Sequence, residues 1–435
     1  MNPLAKQLNK VIESSNPPIL EMLSDVGKNL FFPKGILSQS AEAKEKAHDI
    51  NATIGIATEK NSIMYLPSVI NFIKDIAPED SLTYAPSFGN YKLRQLWQKS
   101  LFAKNPSLSG KSISIPVVTG GITHGISLVA DMWISPDDVV ILPEMTWGNY
   151  SLILTVKHQA TVSTYPMFSD EGCLNLNAFE KKVNKEASKK DKIIVLLNFP
   201  HNPSGYTPTV EEGNRIVDIL DKIARKGTKV VAIIDDAYFG LFYENHTLQE
   251  SLFAHLCDKH SNILAIKLDG ATKENFVWGL RIGFITYGSK IDNNALDVYD
   301  ALEKKTAGCV RGSVSNVSHL SQTIISNSMQ NKDFEKEKNK KHEILNKRAL
   351  RVKQVLSDPK YNDSWDVYPF NSGYFMCIRL KSVDAEALRC HLLEKYGVGL
   401  ISIGQKNLRI AFSCLEENEI KKLFDIIYKG IKEIN

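Results

Sequence analysis

Between Asn61 and Arg311 the chain alternates short runs of β-branched and aliphatic residues with longer amphipathic stretches, and this alternation constrains the fold more than any other feature. The runs Val139 to Leu142, Ile193 to Leu197, Val230 to Ile234, Ile263 to Ile266 and Ile282 to Tyr287 are of strand length. Each ends in polar residues or glycine before a helical segment. Successive βαβ units of this kind bury a parallel sheet between helices, and such sheets take ligands beyond the carboxyl ends of their strands.

A chain of 435 residues is long enough for more than one core. We expect an N-terminal arm over 1–60, a large domain over 61–315 and a small α+β domain over 316–435. In the arm, Leu20, Leu23, Val26 and Leu30 share one side of an expected helix, and Ser38 is placed to cap the next. In the C-terminal part, 332–357 reads as one long charged helix. Gly373 to Ile378 and Leu408 to Phe412 read as strands, and 383–396 and 416–433 as helices. The net charge of +4 includes Lys181-Lys182, Lys189-Lys190 and the run Lys336 to Lys341. These suit solvated helix faces and argue against nucleic acid as a partner. No apolar run approaches a membrane span, and the first eight residues lack the apolar core of a signal peptide. The expected compartment is the cytoplasm. Six cysteines without a short paired spacing point to buried, reduced thiols rather than a zinc site or disulfides.

The residues that carry chemistry stand where those strands end. Gly270-Ala271-Thr272-Lys273, followed by Arg281-Ile282-Gly283, sets an amine and a guanidinium within reach of one small anionic ligand. Desolvation beside a second cation lowers a lysine pKa towards the nucleophilic free base, and arginine forks onto phosphate oxygens. Thr119-Gly120-Gly121-Ile122-Thr123-His124-Gly125 puts small residues at a helix N-terminus, whose free backbone donors cradle phosphate. His124 is read as structural. Asn202-Pro203-Ser204-Gly205 is a turn that aims the Asn202 amide out of the sheet edge. Asp235, in Asp235-Asp236-Ala237-Tyr238, ends an apolar strand and needs a partner for its burial. Trp147 follows another strand and is suited to stack on a flat ring.

In this order, the motifs resemble the fold-type I pyridoxal-phosphate enzymes, and specifically the class I aminotransferases, from about Asn51 to the C-terminus. Asn51-Ala52-Thr53-Ile54-Gly55, Tyr84-Ala85-Pro86-Ser87-Phe88-Gly89 and Trp147-Gly148-Asn149 are most similar to the aspartate and aromatic branch. The resemblance implies a large domain built on a mostly parallel seven-stranded sheet between helices, a small α+β domain, and a homodimer that shares its sites across the interface. It implies that Lys273 binds pyridoxal 5'-phosphate covalently and then moves the substrate α-proton. Asp235 keeps the pyridine nitrogen protonated, Tyr238 and Asn202 reach the ring's phenolic oxygen, and Trp147 covers one face. Gly121, Ile122, Thr123, Thr272 and Arg281 hold the phosphate, with Tyr84 arriving from a partner subunit. Arg409, in Leu408-Arg409-Ile410-Ala411-Phe412, clamps the substrate α-carboxylate in a pocket that Gly55 also lines, together with Trp147 and Asn202. Arg311 stands where dicarboxylate-specific members bind the distal carboxylate.

The implied activity is transfer of an amino group from an L-amino acid, aspartate or aromatic, to a 2-oxo acid such as 2-oxoglutarate. Elimination or decarboxylation on the same fold, and a non-catalytic cofactor-binding regulator, remain as alternatives. The chain also departs from the pattern. Gly270 replaces a phosphate-binding serine, Phe276 replaces a small residue, and Val314 and Val317 replace an aromatic and a proline near Arg311.

Overall fold

The computed structural model describes residues 1–32, 35–74 and 76–435. Seven strands form the central sheet: β1 (Val117–Thr119), β2 (Val139–Pro143), β3 (Thr161–Tyr165), β4 (Lys192–Asn198), β5 (Lys229–Asp235), β6 (Ile263–Gly270) and β7 (Gly283–Gly288). Their order is β1-β7-β6-β5-β4-β2-β3. The pairs among β2 to β6 and β3 are parallel, whereas β7 runs antiparallel to both β1 and β6. Helices cover both faces, so the inner strands are apolar without alternation: six of the seven residues of β5 are buried.

The C-terminal part is a four-stranded antiparallel sheet of β8 (Trp365–Val367), β9 (Phe375–Leu380), β10 (Ile401–Ile403) and β11 (Asn407–Ala411), in the order β8-β9-β11-β10. Three helices bear on the site: α1 (Ile122–Trp133), the single turn α2 (Ala271–Glu274) and the long α3 (Phe334–Leu356). Ile50 and Asn51 pair in parallel with Val398 and Gly399, which ties the N-terminal segment to the C-terminal part.

Two expectations for the arm need correction. Leu20, Leu23, Val26 and Leu30 do not share one helix, because Pro17–Met22 and Asp25–Asn29 are separate helices and Ser24 caps the second by accepting from the Gly27 N–H. Ser38 is not a cap residue either: Gly35 holds that position, and the Ser38 hydroxyl accepts from the Gly35 N–H at 2.9 Å from within the helix Ile36–Lys46. The cysteines are all free, but only Cys257 and Cys377 are buried and Cys173 is exposed.

Arg348 closes the seam between these parts. It lies in α3 with 1% exposure, and its Nη1 donates to the carbonyls of Thr58 at 2.8 Å and Ser413 at 2.7 Å. Its Nη2 lies 3.0 Å from Glu416 Oε2. Arg348→Leu strips all three partners and is expected to cost about 3 kcal/mol. The measurement is urea unfolding, with a lower midpoint at unchanged slope; an unchanged midpoint would mean that the seam is held elsewhere.

Candidate active site

A cavity of about 200 Å3 opens at the carboxyl edge of the sheet. Asp235 closes β5, and its carboxylate points into the cavity with 3% exposure. Its Oδ1 accepts from the Ala237 N–H at 3.1 Å, and its Oδ2 accepts a very short hydrogen bond from the Tyr150 hydroxyl. Burial raises the Asp235 pKa, opposed first by the Tyr150 hydrogen bond and then by Lys273. Asn198, the last residue of β4, donates to the Asp235 carbonyl at 2.9 Å and accepts from the Asn202 N–H at 2.9 Å. Strand end and turn are thereby locked together.

Lys273 follows β6 on α2. Its Nζ sits 4.9 Å from the centre of the Tyr238 ring. Burial lowers its pKa to about 8, with Asp235 raising it and Arg281 lowering it further. The amine is therefore still mostly protonated at neutral pH, but loses its proton far more readily than an exposed lysine. Tyr374, from the C-terminal part, donates to the Lys273 carbonyl at 3.1 Å and holds the turn from behind.

Across the cavity stand the groups suited to an anion. Gly121 caps α1 at φ +85°, and Ile122 and Thr123 open the helix against the cavity, where first-turn N–H groups lack intrahelical acceptors. The Arg281 guanidinium packs on Gly121 so closely that a Cβ there would lie 2.4 Å from Nη2. The Thr272 hydroxyl lines the same cavity, is buried, and has no hydrogen-bond partner among the described residues. A buried hydroxyl left unpaired beside a guanidinium and a helix N-terminus marks a place for a ligand oxygen. Gly270 has a structural cause: a Cβ at that position would meet the Ile282 carbonyl oxygen at 2.6 Å, so no serine fits.

Of the residues singled out in the sequence, the cavity unites Ile122, Thr123, Trp147, Asn202, Asp235, Tyr238, Thr272, Lys273 and Arg281, with Gly121 behind the guanidinium. Arg409 lies one layer away, 2% exposed, donating from Nη1 to Asn202 Oδ1 at 3.2 Å and from Nη2 to the Thr53 carbonyl at 2.8 Å. Its guanidinium stacks 4.1 Å from the Phe375 ring, and its Nε has no partner among the described residues. Gly55 abuts the same ring and the Tyr238 hydroxyl. Tyr84 is 91% exposed, and Arg311 is exposed at the end of the helix Ala295–Ser313; neither lines the cavity of this chain. His124 is structural, accepting from the Gly120 N–H at 3.0 Å.

Sequence reasoning passed over Tyr150, Asn198 and Tyr374. Asn198 carried a usable signal, since it closes an apolar strand as Asp235 does. Tyr150 and Tyr374 carried none, because only the fold brings them to the acid and the lysine.

Residues 49–427 match the family described as aminotransferase class I and II, and the chain belongs to that family. It is 26% identical to the cytoplasmic aspartate aminotransferase of Saccharomyces cerevisiae over 281 residues, which is 63% of this chain and 64% of the yeast enzyme. It is 24% identical over 349 residues to a probable N-acetyl-LL-diaminopimelate aminotransferase of Bacillus subtilis, covering 78% of this chain and 80% of that one. The alignment with the yeast enzyme thus spans less than two thirds of its length. Among solved structures, an aminotransferase from Anaerococcus prevotii superposes with a TM-score of 0.83 at 22% identity, over 94% of this chain and 99% of that one. The fold is shared.

Two outcomes follow from the electrostatics. Modification of Lys273 by an amine-directed reagent, followed by mass spectrometry, should rise with pH through a midpoint near 8. Arg281→Gln removes a cation and moves the midpoint up, and Asp235→Asn removes an anion and moves it down; shifts of the opposite sign would refute the assignment. Tyr150→Phe deletes the strongest bond to the carboxylate. The protonated fraction of Asp235 at pH 7, read by infrared difference against Asp235→Asn, should grow, and an unchanged carboxyl band would show that Tyr150 is a bystander.

Proposed function

We propose that this chain is a pyridoxal 5'-phosphate-dependent aminotransferase that moves an amino group from an L-amino acid to a 2-oxo acid. The observation that carries the reading is the buried Lys273 amine, its pKa lowered to about 8 by burial, sharing one cavity with the Asp235 carboxylate, the Arg281 guanidinium and a Thr272 hydroxyl that has no partner among the described residues. When bound, the cofactor supplies an aldehyde for the amine and an electron-poor ring that stabilises a carbanion at the substrate α-carbon. Arg281, Thr272 and the backbone of Ile122 and Thr123 match its phosphate. Asp235, held as an acceptor by Tyr150 and the Ala237 N–H, offers its remaining lone pairs to a protonated ring nitrogen. Tyr238 and Asn202, which line the cavity, would hydrogen-bond the ring's oxygen, and Trp147 closes one side of the cavity.

Lys273 Nζ would be the base that takes the proton from the substrate α-carbon. Arg409, whose Nε has no partner among the described residues and whose Nη1 rests on Asn202, is the group for the substrate α-carboxylate. Aspartate or an aromatic amino acid is the favoured donor and 2-oxoglutarate the acceptor. A homodimer is the favoured assembly. It is supported by Tyr84 at 91% exposure among exposed Tyr65, Ile70, Ile73 and Leu82, an apolar set that suits a partner copy. In such a dimer Tyr84 and Arg311 would serve the neighbour's site, the latter for a distal carboxylate. No helix among the described residues is long and apolar enough to cross a membrane, and a cytoplasmic setting agrees with the free cysteines.

A visible absorbance scan of the cofactor-loaded protein tests this reading. A band lost on adding aspartate, phenylalanine or tyrosine, and restored by 2-oxoglutarate, is the expected result, absent in Lys273→Ala. A band that no amino acid discharges would move the assignment to a regulator. Irreversible loss with release of carbon dioxide or an eliminated group would move it to a lyase.

A further inference from the structure

The residues that follow the acid and the lysine in sequence both turn away from the cavity, and both end in ion pairs, that of Asp236 fully buried and those of Glu274 partly so. Asp236 accepts from Ser251 Oγ at 2.5 Å and forms a very short contact with Lys267 Nζ. Lys267 lies on β6 with a side-chain exposure of 1% and is 3.7 Å from Asp269, whose carboxylate accepts from Trp97 Nε1 at 3.1 Å. Glu274 Oε1 meets Lys104 Nζ at 2.5 Å and Lys338 Nζ at 3.0 Å. Aromatic rings knit the two halves: Phe239 lies 4.6 Å from the Lys267 ammonium and 6.0 Å from that of Lys104, and Trp97 lies 4.9 Å from Lys104.

Three buried carboxylates face three ammoniums, and the exposed Glu335 adds a 3.7 Å contact to Lys338 from outside. Buried ion pairs are poor stabilisers, because desolvation offsets their attraction and apolar replacements of similar size are often at least as stable. What they do supply is a fixed geometry. This one is attached at Asp236, next to Asp235, and at Glu274, next to Lys273. Glu274 also links α2 to Lys104 on the helix Tyr91–Lys104 and to Lys338 on α3. The four-residue α2 is too short to hold its own orientation in water.

We propose that this six-charge cluster is a positioning device for the site: Asp236 and Glu274 anchor Asp235 and Lys273 from behind, and Glu274 ties the lysine to α3. The inference rests on Lys273 being the cofactor lysine.

The test compares three full-length variants with the wild-type enzyme: Glu274→Gln, Lys338→Met, and the triple Lys104→Met, Glu274→Met, Lys338→Met. Three quantities are read: the melting temperature, the rate at which the visible band grows when pyridoxal phosphate is added to cofactor-free protein, and the split of kcat from KM. For Glu274→Gln we expect band growth and kcat each to fall at least tenfold with the donor KM within twofold. For Lys338→Met, which leaves the Lys104–Glu274 pair, both should fall by a smaller factor. The triple variant should regain a melting temperature close to wild type yet keep the slow band growth and low kcat. A stable triple variant with wild-type rates would overturn the proposal, leaving the cluster a structural element only. If the triple variant does not fold, wild-type rates in both single variants would overturn it equally. A wild-type protein that takes up no cofactor would instead defeat the functional reading itself.

Discussion

A carboxylate and an amine buried at the ends of neighbouring parallel strands set the terms for everything around them. Register pairs Asp235 on β5 with Leu268 on β6, so the strand continues two residues further to Gly270 before α2 delivers Lys273. Either charge alone would face a desolvation cost of several kcal/mol. Burial pushes the acid up and the amine down, and each pulls the other back. The carboxylate survives as an acceptor because Tyr150 and the Ala237 N–H both donate to it. What remains is a carboxylate and an amine that share one cavity, whose far wall is cationic.

That far wall depends on the reversed strand. In a fully parallel sheet the residue before a strand lies at the amino edge, away from the ligand. Because β7 is antiparallel to β6 and β1, its first residue, Gly283, sits beside Gly270 and Thr119 at the carboxyl edge, and Arg281 arrives just ahead of it. The connection from Lys273 is short and bent. Phe276 and Arg281 both adopt positive φ, at 56° and 54°, a strain of about 1 kcal/mol or more for each. The left-handed backbone at 276 explains why a small residue suits that position. Phe276 tolerates it while burying its ring edge-on to Trp278 at 6.0 Å.

The strands of the large sheet and the residues at their ends were legible because a buried parallel strand writes an apolar run and the chemistry stands where the run stops. The long helix α3 was legible from its charged length. Partners chosen by the fold were not. Tyr150 sits after a turn that no local rule orients, and Tyr374 crosses from the other sheet. The direction of β7 was equally hidden, since an apolar run reads the same in either sense. Lys267 escaped notice because a lysine inside a strand reads as an edge or surface residue, whereas here two carboxylates and an aromatic ring enclose it. The arm departs from the pattern for a related reason: Leu20 and Val26 sit on two helices, with Leu23 and Leu30 just past their ends, because the Ser24 cap restarts the backbone between them.

Asn202 shows how the two sheets come to share one site. Its backbone is held by Asn198 at the end of β4, and its side chain lines the cavity while accepting from Arg409 on β11. Arg409 is in turn fixed by the Thr53 carbonyl, from the segment that pairs beside Val398 and Gly399, and by the Phe375 ring. One amide therefore reports the position of the C-terminal part to the carboxyl edge of the large sheet. The bond from Arg409 is the longer of its two, at 3.2 Å against 2.8 Å, and the arginine's Nε has no partner among the described residues. A carboxylate entering between them would gain Nε and draw Nη1 from a neutral amide to a charged oxygen, the stronger acceptor. In doing so it would release the Asn202 amide, so that under the proposed function carboxylate binding at the arginine and ring contact at the asparagine would be a single event.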